Sequence, residues 1–124
     1  MPSPEARILV VDDEEGFRAF FRYVLEPLGY RVLTASSGPE ALDAVRDCPP
    51  DLVLLDGYLG RMSGLDTLRE LKTLEPSLPV LMLSVMDAAL KADAMAAGAL
   101  DCVQKPSDPT RIEELVRRGL GGPP

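Results

Sequence analysis

Four apolar runs end in residues that could do chemistry. Asp12 and Asp13 follow Ile8-Leu-Val-Val11, Asp56 follows Leu52-Val-Leu-Leu55, Ser84 follows Val80-Leu-Met-Leu83, and Lys105-Pro106 comes just after the weaker run Leu100-Asp-Cys-Val103. Three carboxylates, a hydroxyl and an ammonium are parts of a site for a hard cation and an anion. Two carboxylates about 4 Å apart repel by about 4 kcal/mol at an effective dielectric of about 20, so three of them in one pocket need a counter-charge. An oxygen-only donor set suits Mg²⁺ best. Lys105 would add positive charge on the opposite side, and a phosphoryl group, carrying roughly −1.5 to −2 charges, would bridge metal and ammonium.

These residues meet only if the intervening elements bring them together. Three of the apolar runs show no alternation, which is the pattern of strands buried on both faces of a parallel sheet. Tyr30-Arg-Val-Leu-Thr-Ala35 supplies a further strand. Between the strands the spacing is helical. Phe17, Phe20, Phe21, Val24, Leu25 and Leu28 share one face of a helix over Glu14 to Leu28. Ser37 with Glu40 has capping-box spacing, with Pro39 in the first turn ahead of Ala41, Leu42 and Val45. Leu65, Leu68, Leu71 and Leu74 mark a third helix capped by Ser63. Asp87 caps an alanine-rich fourth ended by Gly98, and Asp108-Pro109 opens a fifth carrying Ile112, Leu115 and Val116.

Five strands alternating with five helices imply right-handed crossovers and a doubly wound α/β fold with a parallel sheet. In such sheets ligands bind outside the carboxyl ends of the strands. With the flavodoxin-like order 2-1-3-4-5, Asp12, Asp13, Asp56, Ser84 and Lys105 converge on one edge.

Composition narrows the function. The 124 residues are 46% hydrophobic and 27% charged, enough for one ordinary domain whose core needs neither disulfides nor a structural metal. The chain has no histidine, which removes histidine general bases, Ser-His and Cys-His pairs and the usual transition-metal ligands. Cys48 and Cys102 form no CxxC, and a reduced, cytoplasmic setting is expected. A net charge of −7 disfavours nucleic acid and anionic membranes as partners. No apolar run approaches the roughly 20 residues of a membrane span.

Taken together these pieces resemble the receiver domain of two-component response regulators, from Arg7 to Leu120. The resemblance rests on Ile8-Leu-Val-Val-Asp-Asp13, Asp51-Leu-Val-Leu-Leu-Asp56, Gly64 eight residues after Asp56, Ser84, Gly98-Ala99 and Lys105-Pro106. It implies a five-stranded (βα)5 fold. Residues 1–6 would be an N-terminal extension, 7–120 the receiver, and 121–124 a flexible tail or the start of a linker.

By position, the resemblance makes Asp56 the acceptor of a phosphoryl group from a phosphohistidine on a sensor histidine kinase. Asp13 would ligate Mg²⁺ directly and Asp12 mainly through water. Asp56 itself and the backbone carbonyl of Tyr58 would complete the protein ligands. Lys105 would pair with one phosphoryl oxygen and Ser84 would swing in to another. The Lys105-Pro106 bond is commonly cis in the family. The implied protein assists its own phosphorylation and dephosphorylation and is otherwise no enzyme. Its output would pass to a C-terminal effector domain or downstream protein through residues 87–118, with homodimerisation open.

Three positions depart from the family pattern. Cys102 stands where a Tyr or Phe is usual, so coupling is expected to run either through Ser84 and the fourth helix or through a weaker packing change around the thiol. Val85 replaces a small residue beside the access route to Asp56, flanked by Tyr58 and Met86, which predicts slow loss of the phosphoryl group. Gly60 replaces a usual proline and loosens its loop.

Plainer roles exist for each residue alone. Asp12 and Asp13 could cap the first helix, Ser84 could serve a turn, Lys105 could be solvated, and both thiols could be inert, Cys102 half-buried and Cys48 near a loop. Two other functions compete. A receiver-like interaction module could work without phosphorylation. A Mg²⁺-dependent aspartyl-phosphate phosphatase would need a second Asp two residues after Asp56, where the chain has Tyr58.

Overall fold

The computed structural model describes residues 6–60, 62–84 and 88–121. A parallel five-stranded sheet in the order β2-β1-β3-β4-β5 forms the middle layer. The strands are β1 (Arg7–Val11), β2 (Arg31–Ala35), β3 (Leu52–Asp56), β4 (Val80–Ser84) and β5 (Asp101–Gln104). The helices are α1 (Glu15–Leu25), α2 (Gly38–Asp47), α3 (Gly64–Leu74), α4 (Ala88–Ala96) and α5 (Pro109–Gly119).

Strand alternation splits the core into two halves. Ile8, Val10, Leu52, Leu54, Leu81 and Leu83 pack with Phe21 and Leu25 of α1 and with Ile112, Leu115 and Val116 of α5. Leu9, Val11, Val53, Leu55, Val80 and Met82 pack with side chains of α2, α3 and α4. Both β3 and β4 are buried along their whole length, which is why their sequences carry no polar alternation.

The caps follow the side chains available. Ser63 accepts a hydrogen bond from the Asp66 N–H at 3.0 Å, and Asp108 accepts one from the Thr110 N–H at 2.9 Å. Ser37 accepts from the Glu40 N–H at 3.3 Å, but the Glu40 carboxylate does not close a reciprocal box. It takes the Ser36 hydroxyl at 2.7 Å instead. Gly98 ends the α4 region with φ +101°, a left-handed conformation that suits glycine.

Several expectations need correction. The helix from Glu14 does not run to Leu28. It ends at Leu25 and tightens into a 3-10 turn, Glu26–Leu28, where Pro27 has no N–H to continue the α-helical ladder. Leu28 is therefore turned off the apolar face and is 46% exposed. Leu74, in the last turn of α3, is also partly exposed, at 37%. The fifth strand starts one residue later than its apolar run, leaving Leu100 outside it and exposed. Cys102 is fully buried rather than half-buried, among the side chains of the α3 and α4 half of the core, because its strand position faces inward. Cys48 sits partly buried at the C-terminus of α2 and accepts a hydrogen bond from Arg7. The Lys105-Pro106 bond is trans, the form that peptide bonds before proline still favour by about 0.5–1 kcal/mol. The predicted Asp87 cap, Val85, Met86, most of the N-terminal extension and all of the tail beyond Gly121 lie outside the described residues.

Candidate acidic phosphoacceptor site

The carboxyl ends of β1, β3, β4 and β5 build the site. Parallel register sets Asp56 beside Leu83 and Ser84 beside Gln104, so the end of each strand is fixed by its neighbour. Two backbone bonds continue the ladder past the strands. The Gly57 N–H donates to the Leu83 carbonyl at 2.8 Å, and the Lys105 N–H donates to the Ser84 carbonyl at 2.9 Å. The second of these aims the chain at Lys105 back over the sheet.

Asp12, Asp13 and Asp56 each bring a carboxylate oxygen into one cluster, all within 4.8 Å of one another. Asp12 is 1% exposed and Asp56 7%, while Asp13 is open to solvent. Lys105 reaches across the cluster, with its Nζ 2.6 Å from Asp12 Oδ2 and 3.5 Å from Asp56 Oδ2. The lysine therefore does not wait on the far side of the pocket, as the sequence suggested. It already offsets part of the carboxylate repulsion.

Each buried carboxylate is held at its other oxygen. Asp12 Oδ1 accepts from the Glu14 N–H at 2.9 Å, a local turn ahead of α1, and Asp56 Oδ1 accepts from the Tyr58 N–H at 3.2 Å. Asp12 thus combines the helix-entry role with membership of the cluster. The Arg18 guanidinium donates to the Asp12 backbone carbonyl at 2.8 Å, tying α1 to the same corner.

Burial pushes the Asp56 carboxyl above its ordinary value. The Tyr58 N–H and the Lys105 charge pull it back only in part, and Asp12 adds to the rise. Burial alone would lower Lys105, but its hydrogen bond to Asp12 and the charges of Asp56, Asp12 and Glu14 outweigh that and hold the ammonium above its usual value. The pair is thus a strongly held cation beside a carboxylate short of compensation.

Two glycines let the walls close on Asp56. A Cβ on Gly64, the first residue of α3, would lie 2.3 Å from the Asp56 carbonyl oxygen and 2.7 Å from Gly57 Cα. A Cβ on Gly57 would meet Leu90 of α4 at 2.9 Å and the Ser84 Cβ at 3.0 Å. The Ser84 side chain is buried beside Gly57, and Tyr58, two residues after Asp56, lies exposed. Sequence reasoning read Phe17 only as part of an apolar helix face. The structure brings its ring to the Lys105 ammonium.

The sequence matches the family described as the response regulator receiver domain over residues 8–117. This chain is a receiver domain. The receiver is 40% identical over 114 residues to the transcriptional regulatory protein ZraR of Salmonella typhimurium, covering 91% of this chain and 26% of that protein. It is 31% identical over 114 residues to the chemotaxis protein CheY of Thermotoga maritima, covering 90% of this chain and 95% of that protein. Among solved structures, the receiver domain of NtrX from Brucella abortus matches with a TM-score of 0.85 and 37% identity, over 92% of this chain and 98% of that one. The receiver spans about a quarter of the length of the ZraR proteins it matches.

The donor set of the receiver's acidic cluster fits the divalent cation expected of such a site. All three side chains offer oxygen, as a hard cation requires. Two oxygens on one Mg²⁺ stand at most about 4.2 Å apart, given bonds of about 2.1 Å. A spread within 4.8 Å needs little closing. Among the described residues this is the one cluster of three or more His, Cys, Asp or Glu side chains that could hold a metal. No described helix is long and apolar enough to cross a membrane.

Proposed function

We propose that this receiver takes a phosphoryl group on Asp56 from a phosphohistidine of a sensor histidine kinase, with Mg²⁺, and thereby alters its engagement with an effector. The observation that carries the reading is the setting of Asp56, a 7% exposed carboxylate at the end of a fully buried strand. An ammonium 3.5 Å away and two further carboxylates adjoin it. Such a group has no structural employment that a neutral side chain would not fill better.

One Asp56 oxygen forms the new O–P bond as the P–N bond of the donor imidazole breaks, and the imidazole nitrogen keeps the electron pair. The other oxygen stays oriented by its neighbours, so no general base is needed on this chain. Lys105 donates to a phosphoryl oxygen, an adjustment of its contact with Asp56 rather than a new approach from solvent. The Ser84 hydroxyl serves a second phosphoryl oxygen from the adjoining strand end. Asp13, Asp56 and the Tyr58 carbonyl, with Asp12 mainly through water, would hold Mg²⁺, which would supply neutralising charge to the phosphoryl oxygens. Catalysis of this kind is positioning and electrostatics.

The output is a protein contact. Relatives such as ZraR are named as transcriptional regulators and are far longer than this chain, which supports an effector engaged through residues 87–118. The negative net charge argues that this domain leaves DNA to the effector. A reduced, cytoplasmic setting suits Cys48 and Cys102, neither of which is in a disulfide.

The test is intact mass after incubation with Mg²⁺ and a small phosphodonor. Stoichiometric addition of one phosphoryl group, absent in Asp56→Asn, is the expected result. An unmodified wild type would favour an interaction module that works without phosphorylation, and multiple turnover of the donor would favour a phosphatase.

A further inference from the structure

The Lys105 ammonium has a third neighbour besides the two carboxylates. Its Nζ stands 3.8 Å from the centroid of the Phe17 ring, over the ring face. Phe17 lies in the first turn of α1 and is itself braced by Phe21, with ring centroids 6.4 Å apart at 54°. Phe21 is 1% exposed, so the bracing residue belongs to the core. Asp12, Asp56 and Phe17 together leave the lysine side chain only 17% exposed.

An aromatic face differs from any aliphatic wall at this place. Aliphatic packing would strip water from the ammonium and give nothing back. The negative face of a ring attracts the cation, and more strongly where water is excluded. A lysine stem has four rotatable bonds, and a free ammonium must be ordered each time it is used. A charge already fixed where negative charge will appear avoids that reorganisation.

From this geometry we infer that Phe17 is a positioning residue for the transfer to Asp56. Its ring face holds the Lys105 ammonium in the cleft, aligned to meet a phosphoryl oxygen as the O–P bond forms. Lys105 keeps its proton throughout and contributes charge and a hydrogen bond. The inference rests on the reading of Asp56 as the phosphoacceptor.

The experiment compares wild type, Phe17→Tyr and Phe17→Leu. Initial rates of phosphorylation by acetyl phosphate with Mg²⁺ are read by intact mass, and the Lys105 ε-methylene resonance is followed by NMR. Phe17→Tyr keeps the ring and should react at close to the wild-type rate. Phe17→Leu keeps the apolar bulk and should react roughly three- to tenfold more slowly. The ring should displace the Lys105 resonance upfield in wild type and Phe17→Tyr, and the displacement should vanish in Phe17→Leu. Three results would overturn the inference alone: a Phe17→Leu rate equal to wild type, a Phe17→Tyr as slow as Phe17→Leu, or a Lys105 resonance at the position of the other lysines. A wild type that takes no phosphoryl group would overturn the phosphoacceptor reading, and this inference with it.

Discussion

Replacing Asp56 by Asn should stabilise the metal-free protein while removing its proposed chemistry. The magnitude follows from the three charges nearest Asp56. At an effective dielectric of about 20, Lys105 at 3.5 Å attracts the carboxylate by about 4.7 kcal/mol, and Asp12, within 4.8 Å, repels it by at least about 3.5 kcal/mol. Asp13 repels it too, but is exposed and screened. The pairwise forces thus nearly cancel, and the cost of burying a charge that is 7% exposed stands largely uncompensated. Asn has the same shape and keeps an acceptor for the Tyr58 N–H. Lys105 retains its shorter contact with Asp12. We expect a gain of about 1–2 kcal/mol, or about 3–10 °C in melting temperature for a domain of this size.

The pH dependence gives the sharper check. The Asp56 carboxyl is raised in the folded protein. Its proton therefore favours folding below the ordinary carboxylate range, and that stability is lost as pH rises through the raised value. The advantage of Asp56→Asn should be smaller at about pH 4 than at about pH 7, because the wild-type group takes up its proton as pH falls through the raised value. Urea unfolding in chelator at both pH values reads the difference. A variant less stable than wild type at neutral pH, or a gap that ignores pH, would refute the electrostatic reasoning.

Further expectations concern the same corner. Lys105→Met leaves Asp12, 1% exposed, without its partner, and should cost about 3 kcal/mol in urea unfolding without metal. Added Mg²⁺ should restore part of that loss. Mg²⁺ should raise the wild-type melting temperature in a concentration-dependent way that chelator reverses, and Asp13→Asn should weaken the response in the same thermal scan. Gly64→Ala forces a Cβ against the Asp56 carbonyl and should destabilise by about 2–4 kcal/mol by chemical denaturation. Ser63→Ala, by contrast, removes only a cap and should cost about 1 kcal/mol in the same assay.

Most of the fold was legible because local and long-range signals agreed. Unbroken apolar runs identified β3 and β4, and cap residues such as Ser63 and Asp108 stood one residue ahead of their helices. The rule that ligands sit beyond the carboxyl ends of parallel strands then brought Asp12, Asp13, Asp56, Ser84 and Lys105 to one edge. Less legible were details decided by side-chain geometry. Helical spacing placed Leu28 on an apolar face, yet the turn at Pro27 changed the winding just before it. The pattern also treated Phe17 and Phe21 alike, whereas only Phe21 is buried and Phe17 turns its ring to an ammonium from the far end of the chain. Nothing in residue spacing encodes how far a lysine stem reaches, and so the direct pairing of Lys105 with Asp12 appeared only in the structure.

The contact of Gly64 with Asp56 and Gly57 makes the domain mechanically lopsided. Main chain rests on main chain there, with no compressible side chain between β3 and the start of α3. That flank is a rigid abutment. On the other flank, α4 is moored more lightly, since Ala94 is its one fully buried residue among those described. A disturbance arising at Asp56 meets resistance on one flank and compliance on the other, so displacement should travel toward α4 while α3 serves as the anvil.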